Sequence, residues 1–288
     1  MATLFRSENA KTLVHARYRS LLDNWPVPRR ELTLPTRYGH TFVIVCGPEN
    51  APALLLLHGG ATTSAMWGRS VRLWAEHFRV YAVDIIGEPG LSAPARPSLR
   101  SDAYVRWLED LWSALGLSRA SMVGASLGGL LALQYAAEHP ARVKKLVLLA
   151  PAGIAPVRVG YLISAVPLFF LGPHGRRKAL ELVMGLAPEE RTEEAKEFLS
   201  FFELILAHHV VRTQPIPVVS ESTLRKLTMP VLVVVGARDI VFRAETMRRR
   251  IASFVPDART LVLEKAGHGL TDQTSTIDQF LLTNGTGM

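Results

Sequence analysis

Ser121 to Pro140 reads SMVGASLGGLLALQYAAEHP. Ser121-Met122-Val123-Gly124 is a short apolar strand. Leu127 to His139 is a helix, and Pro140 stops it because proline offers no N–H and clashes with the preceding turn. Between them Gly124-Ala125-Ser126-Leu127-Gly128 fits the pattern Gly-x-Ser-x-Gly. A serine placed on a sharp strand-to-helix turn has strained backbone angles that lift its Oγ clear of the sheet. The residues two before and two after must be nearly bare so that strand and helix can approach. Gly124 and Gly128 meet that demand and Gly129 extends it. Ser126 is the candidate nucleophile.

The strand-helix alternation continues in both directions. Upstream, residues 1–28 read as a helix followed by the link Trp25-Pro26-Val27-Pro28. Glu31 to Pro35 and Thr41 to Cys46 read as strands joined by the turn Arg37-Tyr38-Gly39-His40. Ala53 to Leu57 is an unbroken apolar run ended by His58-Gly59-Gly60, as in a strand buried on both faces of a parallel sheet. Arg79 to Asp84 is a strand before Gly87, and Asp102 to Leu115 a helix with Gly116 at its end. Downstream come the strand Val143–Ala150, the strand Val231–Val235, the helix Ala244–Phe254, the strand Arg259–Leu263 and the helix Thr274–Leu282. This order predicts an α/β fold with a mainly parallel central sheet flanked by helices. The tail from Thr283 to Met288 reads as frayed.

One interval interrupts the alternation. About 80 residues without a clear strand separate Ala150 from Val231, too many for a structureless loop. They hold apolar helical segments around Tyr161–Leu171, Arg177–Leu186 and Glu194–Val211. The expectation is a core made of 1–150 and 230–288, with 151–229 inserted as a helical cap. The apolar side chains of that cap, Tyr161 to Leu171 together with Phe198, Phe201 and Phe202, are expected both to pack it on the core and to line a hydrophobic pocket.

A serine hydroxyl needs a general base at neutral pH. His268, in Ala266-Gly267-His268-Gly269, follows the last strand, where open α/β sheets place their chemistry. His139 and His77 fit less well. His208 and His209 are adjacent, so they point to different helix faces and do not make a metal pair. The histidine in turn needs an acid to fix its tautomer. Asp239 follows the buried strand Val231–Val235, and the order Ser126, Asp239, His268 is that of α/β-hydrolases. Asp257 and Asp272 are weaker alternatives. An oxyanion needs backbone donors. The amide of Leu127 is one, and His58-Gly59-Gly60-Ala61 supplies the other through Gly60.

Composition narrows the classes. The chain has 288 residues, a net charge of +8 and 48% hydrophobic residues, which excludes wholesale disorder. The single cysteine, Cys46, excludes an internal disulfide framework and a cysteine-based zinc site, and fits a reducing compartment. The densest basic run, Arg248-Arg249-Arg250, alternates with Met247, Ile251 and Phe254 at helical spacing, so it reads as a solvated helix face, not a nucleic-acid patch. The longest apolar stretch, Val159 to Gly172, is shorter than the ~20 residues of a membrane span and is broken by Pro167, so it reads as a buried or ligand-facing helix. Residues 1–20 show no signal peptide, and a cytoplasmic location is the simplest expectation.

His58-Gly59-Gly60, Asp84-x-x-Gly87, Gly124-x-Ser126-x-Gly128, Asp239 and His268 together resemble the α/β-hydrolase superfamily over residues 30–282. Tyr81 to Gly87, Leu22-x-x-Trp25-Pro26-Val27 and Ala252 to Asp257 are similar to bacterial carboxylesterases of the Bacillus type, which cleave aryl-propionate esters. The resemblance implies an α/β-hydrolase fold, a triad of Ser126, Asp239 and His268, and a helical cap over the site, with Asp84 and Gly87 structural. It implies a serine hydrolase working through an acyl-enzyme, and the apolar side chains of the cap favour small to medium hydrophobic esters as substrates. No metal or organic cofactor, no nucleic acid and no membrane span are expected, and the expected state is a monomer or homodimer. Perhydrolysis, lactone or thioester cleavage and carbon–carbon bond hydrolysis would use the same residues. A non-catalytic small-molecule binding module is the rival from another class.

Overall fold

The computed structural model describes residues 3–185, 192–270 and 273–283. Among these residues one sheet carries eight strands: β1 (Arg29–Thr36), β2 (Gly39–Cys46), β3 (Ala53–Leu57), β4 (Arg79–Val83), β5 (Ala120–Ala125), β6 (Val143–Leu149), β7 (Val231–Gly236) and β8 (Arg259–Leu263). Their spatial order is β1-β2-β4-β3-β5-β6-β7-β8. β2 pairs antiparallel with both β1 and β4, and every pair from β4 to β8 is parallel. The chain starts at one edge, passes over the β4 position to β3, steps back to β4 beside β2, and then winds outward from β5 to the other edge.

The apolar runs are buried on both faces, as a parallel sheet requires. Leu55, Leu57, Val233 and Val235 point into one core layer, and Leu54, Leu56, Leu232 and Val234 into the other. Helices α3 (Ala103–Ala114), α4 (Leu127–Glu138) and α9 (Ala244–Phe254) cover the first face. Helices α1 (Glu8–Asp23), α2 (Gly68–His77) and α10 (Thr274–Leu282) cover the second. The sequence gives no clear sign of α2. It starts on a glycine and buries only Val71, Trp74 and Ala75. His77 therefore ends a helix, just before the strand that begins at Arg79. In α9, Met247 and Ile251 are buried while Arg248 and Arg249 pair with Glu245 on the exposed face.

Between β6 and β7 no strand occurs among the described residues. The segment holds α5 (Val159–Ser164), a short 3-10 turn at Pro167–Phe170, α6 (Gly172–Met184), α7 (Glu193–His208) and α8 (Glu221–Arg225). The single apolar helix expected over Val159–Gly172 is instead two short pieces. Pro167 opens the second piece, because it cannot supply an N–H to the first. The stretch is not uniformly buried: Val159, Ile163, Phe170 and Leu171 are exposed. Leu186, the end of the expected segment 177–186, and the tail beyond Thr283 lie outside the described residues. Among the described residues no helix is long and apolar enough to cross a membrane.

Candidate active site

Ser126 sits between β5 and α4 with φ 47° and ψ −110°. A side-chain-bearing residue holds that conformation only when its surroundings impose it. The Ser126 N–H donates to the Leu149 carbonyl at 2.9 Å, and its own carbonyl accepts from the Ala152 N–H at 3.0 Å. A β-carbon on Gly124 would lie 2.7 Å from the Gly128 carbonyl carbon and 2.8 Å from the Gly129 Cα. Bare backbone is therefore what lets β5 and α4 meet at this angle.

Asp239 lies in the loop after β7 and is 3% exposed. Its Oδ1 accepts the amides of Val241 at 2.7 Å and Phe242 at 3.1 Å. Its Oδ2 is 2.8 Å from His268 Nδ1, and His268 Nε2 is 3.1 Å from Ser126 Oγ. A carboxylate only accepts, so Nδ1 carries the proton and Nε2 is left to accept from the serine hydroxyl. His268 stands in the loop after β8. Its N–H donates to the Val183 carbonyl at 3.2 Å, and the Gly269 N–H to the Met184 carbonyl at 3.0 Å. These are carbonyls of the last turn of α6, which a helix leaves unpaired.

The loop after β3 lies against the serine. A β-carbon on Gly59 would be 3.7 Å from Ser126 Cβ, and one on Gly60 would be 3.7 Å from Leu127 Cβ. The amide of Leu127 opens α4, where helix N–H groups are free and the helix dipole favours negative charge. His58 is fully buried. Its Nε2 accepts from the Ile85 N–H at 2.9 Å, and Nδ1 therefore donates to the Gly59 carbonyl at 2.8 Å. Burial holds its pKa below the usual histidine value, so it is neutral.

Residues 52–171 match the family model described as the alpha/beta hydrolase fold. The chain is 31% identical over 267 residues to the carboxylesterase nap of Bacillus subtilis, spanning 90% of this chain and 87% of that one. This chain is an α/β hydrolase of the carboxylesterase type. Its structure is similar to that of naproxen esterase from Bacillus subtilis, with a TM-score of 0.80 and 31% identity over 93% of this chain and 95% of the other. It is also similar to the carboxylesterase CesB (YbfK) from Bacillus subtilis, with a TM-score of 0.81 and 26% identity over 95% and 97% of the two chains.

In this hydrolase Ser126 and His268 open onto a cavity of 1330 Å³. Tyr161, Leu162, Val166, Phe169, Phe170, Phe198 and Phe202 line it, all of them within the set the sequence suggested. Phe201 does not. It is 2% exposed and stacks on Tyr18 at 6.0 Å between ring centroids, so it belongs to the core. The remaining titratable candidates lie elsewhere. Asp257 is exposed in the turn after α9, and Asp272 is outside the described residues. His139 caps α4 against the Tyr135 ring at 4.9 Å, and His208 ends α7. His209 is buried and its Nε2 accepts from Arg96 Nη2 at 2.8 Å. Burial first, and then the Arg96 charge, push its pKa down to about 3. Asp84 is fully buried. Its carboxylate accepts from Tyr18 Oη at 2.8 Å and from the amides of Ser64 at 2.9 Å and Leu91 at 2.8 Å.

Sequence reasoning missed Glu88 and Arg212. Glu88 is 2% exposed, and its Oε2 accepts the Ala61 N–H at 2.7 Å. Its Oε1 is 3.7 Å from Arg212 Nε. The signal available was an acidic residue placed directly after Gly87 inside an apolar stretch.

Proposed function

We propose that this hydrolase cleaves small to medium hydrophobic carboxylic esters through a covalent acyl-enzyme on Ser126. His268 takes the hydroxyl proton at Nε2 as Ser126 Oγ attacks the ester carbonyl. Asp239 holds Nδ1–H and stabilises the imidazolium. The amides of Gly60 and Leu127 donate to the oxyanion of the tetrahedral intermediate. His268 then protonates the leaving alcohol, the C–O bond breaks, and the acyl-enzyme remains. Water, giving its proton to His268, attacks the acyl carbonyl and releases the acid and Ser126.

The observation that carries this reading is the relay from Asp239 to His268 to Ser126, at 2.8 and 3.1 Å, opening onto an apolar cavity. The segment 151–229 acts as the cap that supplies much of the cavity wall. Walls that are mainly apolar favour hydrophobic acyl and alcohol parts over sugars or peptides. The likeness to naproxen esterase makes an aryl-propionate ester a reasoned member of the test panel.

The test is turnover of p-nitrophenyl butyrate and naproxen methyl ester, with labelling by a fluorophosphonate. Ser126→Ala should abolish turnover and labelling while the circular dichroism spectrum stays that of the parent. Substantial residual turnover in that variant would remove Ser126 from the mechanism.

A further inference from the structure

The peptide units on the two sides of Gly60 are each fixed by buried groups. On one side the Gly59 carbonyl accepts from His58 Nδ1 at 2.8 Å and from Thr62 Oγ1 at 2.8 Å. A trans peptide is planar, with its N–H opposite its C=O. These two bonds therefore aim the Gly60 N–H away from His58. On the other side the Ala61 N–H donates to Glu88 Oε2 at 2.7 Å.

Ala61 has φ 53° and is 7% exposed. An L-residue with a β-carbon stays left-handed at a cost of about 1–2 kcal/mol, so something must hold it there. At 2.7 Å and out of water, the bond to Glu88 Oε2 is a strong restraint on that amide. Gly60, with no β-carbon, offers little resistance of its own if that restraint is lost.

Glu88 is in turn restrained from both ends. It follows Gly87 at φ 75°, and its own N–H donates to the Ile85 carbonyl at 3.2 Å. Arg212 faces its second oxygen, and is itself tied to the Pro97 carbonyl at 3.0 Å and to Tyr104 Oη at 2.5 Å. A buried carboxylate needs such a counter-charge to remain ionised.

We propose that Glu88 is a positioning residue for the oxyanion hole: by holding the Ala61 amide it keeps the Gly60 N–H aimed at the developing oxyanion. This rests on the ester-hydrolase reading above. The bond to Ala61 requires an acceptor at the full reach of the glutamate chain, and it does not require the negative charge. The ion pair with Arg212 requires the charge and tolerates a shorter chain less strictly.

Two conservative variants separate these roles, measured with p-nitrophenyl butyrate. Glu88→Asp keeps the charge and withdraws the acceptor. It should lower kcat by about 10- to 100-fold, less than the full loss of a donor, with KM within about twofold of the parent. Glu88→Gln keeps the reach and should restore kcat to within a few-fold of the parent. The proposal is overturned if Glu88→Asp has parental kcat, if it changes KM alone, if Glu88→Gln is as slow as Glu88→Asp, or if Glu88→Asp fails to fold by circular dichroism. Ser126→Ala, run beside them, tells the two levels apart. If it still turns over ester, the reading of the site itself fails. If it is dead while Glu88→Asp is unaffected, only the role of Glu88 fails.

Discussion

The amide of Gly128 donates to the His58 carbonyl at 3.1 Å, and a β-carbon on Gly128 would stand 2.5 Å from that same oxygen. The loop carrying Gly60 and the helix carrying Leu127 are thus joined through a gap that admits only hydrogen. Gly128→Ala should cost about 3 kcal/mol, since the obstructing carbonyls of Leu57 and His58 are backbone and cannot rotate aside. Gly160→Ala is the control. Nothing lies within 4 Å of its β-carbon position, and in α5 it should stabilise by up to ~1 kcal/mol. Urea unfolding of the two variants measures the contrast.

The acid of the relay can be separated from its rival Asp257, in the turn after α9. Asp239→Asn offers His268 a partner that no longer fixes one tautomer, so kcat/KM should fall by on the order of 1,000- to 10,000-fold. Asp257→Asn, exposed and with no bond to His268, should stay within about twofold. Steady-state kinetics on one chromogenic ester decides between them, and the opposite ranking would move the acid.

Acid lability should begin well above the carboxylate range. His209 titrates at about 3 in the folded chain, against an ordinary histidine value of 6.5 once the chain unfolds and the ring meets water. Below pH 6.5 the unfolded chain binds a proton that the folded chain refuses, so stability is full above that pH and declines as pH falls towards 3. Between about pH 7.5 and 5 the loss from this one group is roughly 2 kcal/mol. Burial lowers the pKa of His15 and His58 as well, which adds loss in the same direction. Urea unfolding at about pH 7.5, 6 and 5 should show the decline, and His209→Gln should make it shallower.

Two adjacent phenylalanines should respond in different observables. Phe201 stacks on Tyr18 in the core, and Phe201→Ala should cost about 3–5 kcal/mol of stability. Phe202 is half-buried on the cavity wall. Phe202→Ala should raise KM for a hydrophobic ester, with a stability loss below about 2 kcal/mol. Paired thermal melts and kinetics would show the split.

The parts of this hydrolase that could be read in sequence are those set by local chemistry. β3 and β8 have the limits that their apolar runs suggest, because glycine, histidine or charge bounds each run. Ser126, Asp239 and His268 stand at the C-terminal ends of β5, β7 and β8, so a parallel sheet brings their loops together once the strands are placed. The phenylalanines of α7 could not be sorted by spacing alone. Phe201 and Phe202 differ only in which neighbour the helix meets on each side. Glu88 was hidden for a topological reason. Its partner Ala61 is far away in the chain, and they meet because β3 and β4 are neighbours in the sheet and both loops emerge at the same end.

The attachment of the His268 loop to the last turn of α6 has a practical consequence for redesign. Gly185 and Gly267 touch backbone to backbone, since a β-carbon on Gly267 would fall 2.7 Å from the Gly185 Cα. Val183 and Met184 therefore act as a jig for the imidazole while the same inserted segment shapes the cavity. An engineer who grafts a foreign segment to accept a bulkier ester would change turnover and selectivity together. Diversifying residues 161–170 while leaving 183–185 and 267–269 untouched is the library that lets selectivity vary on its own.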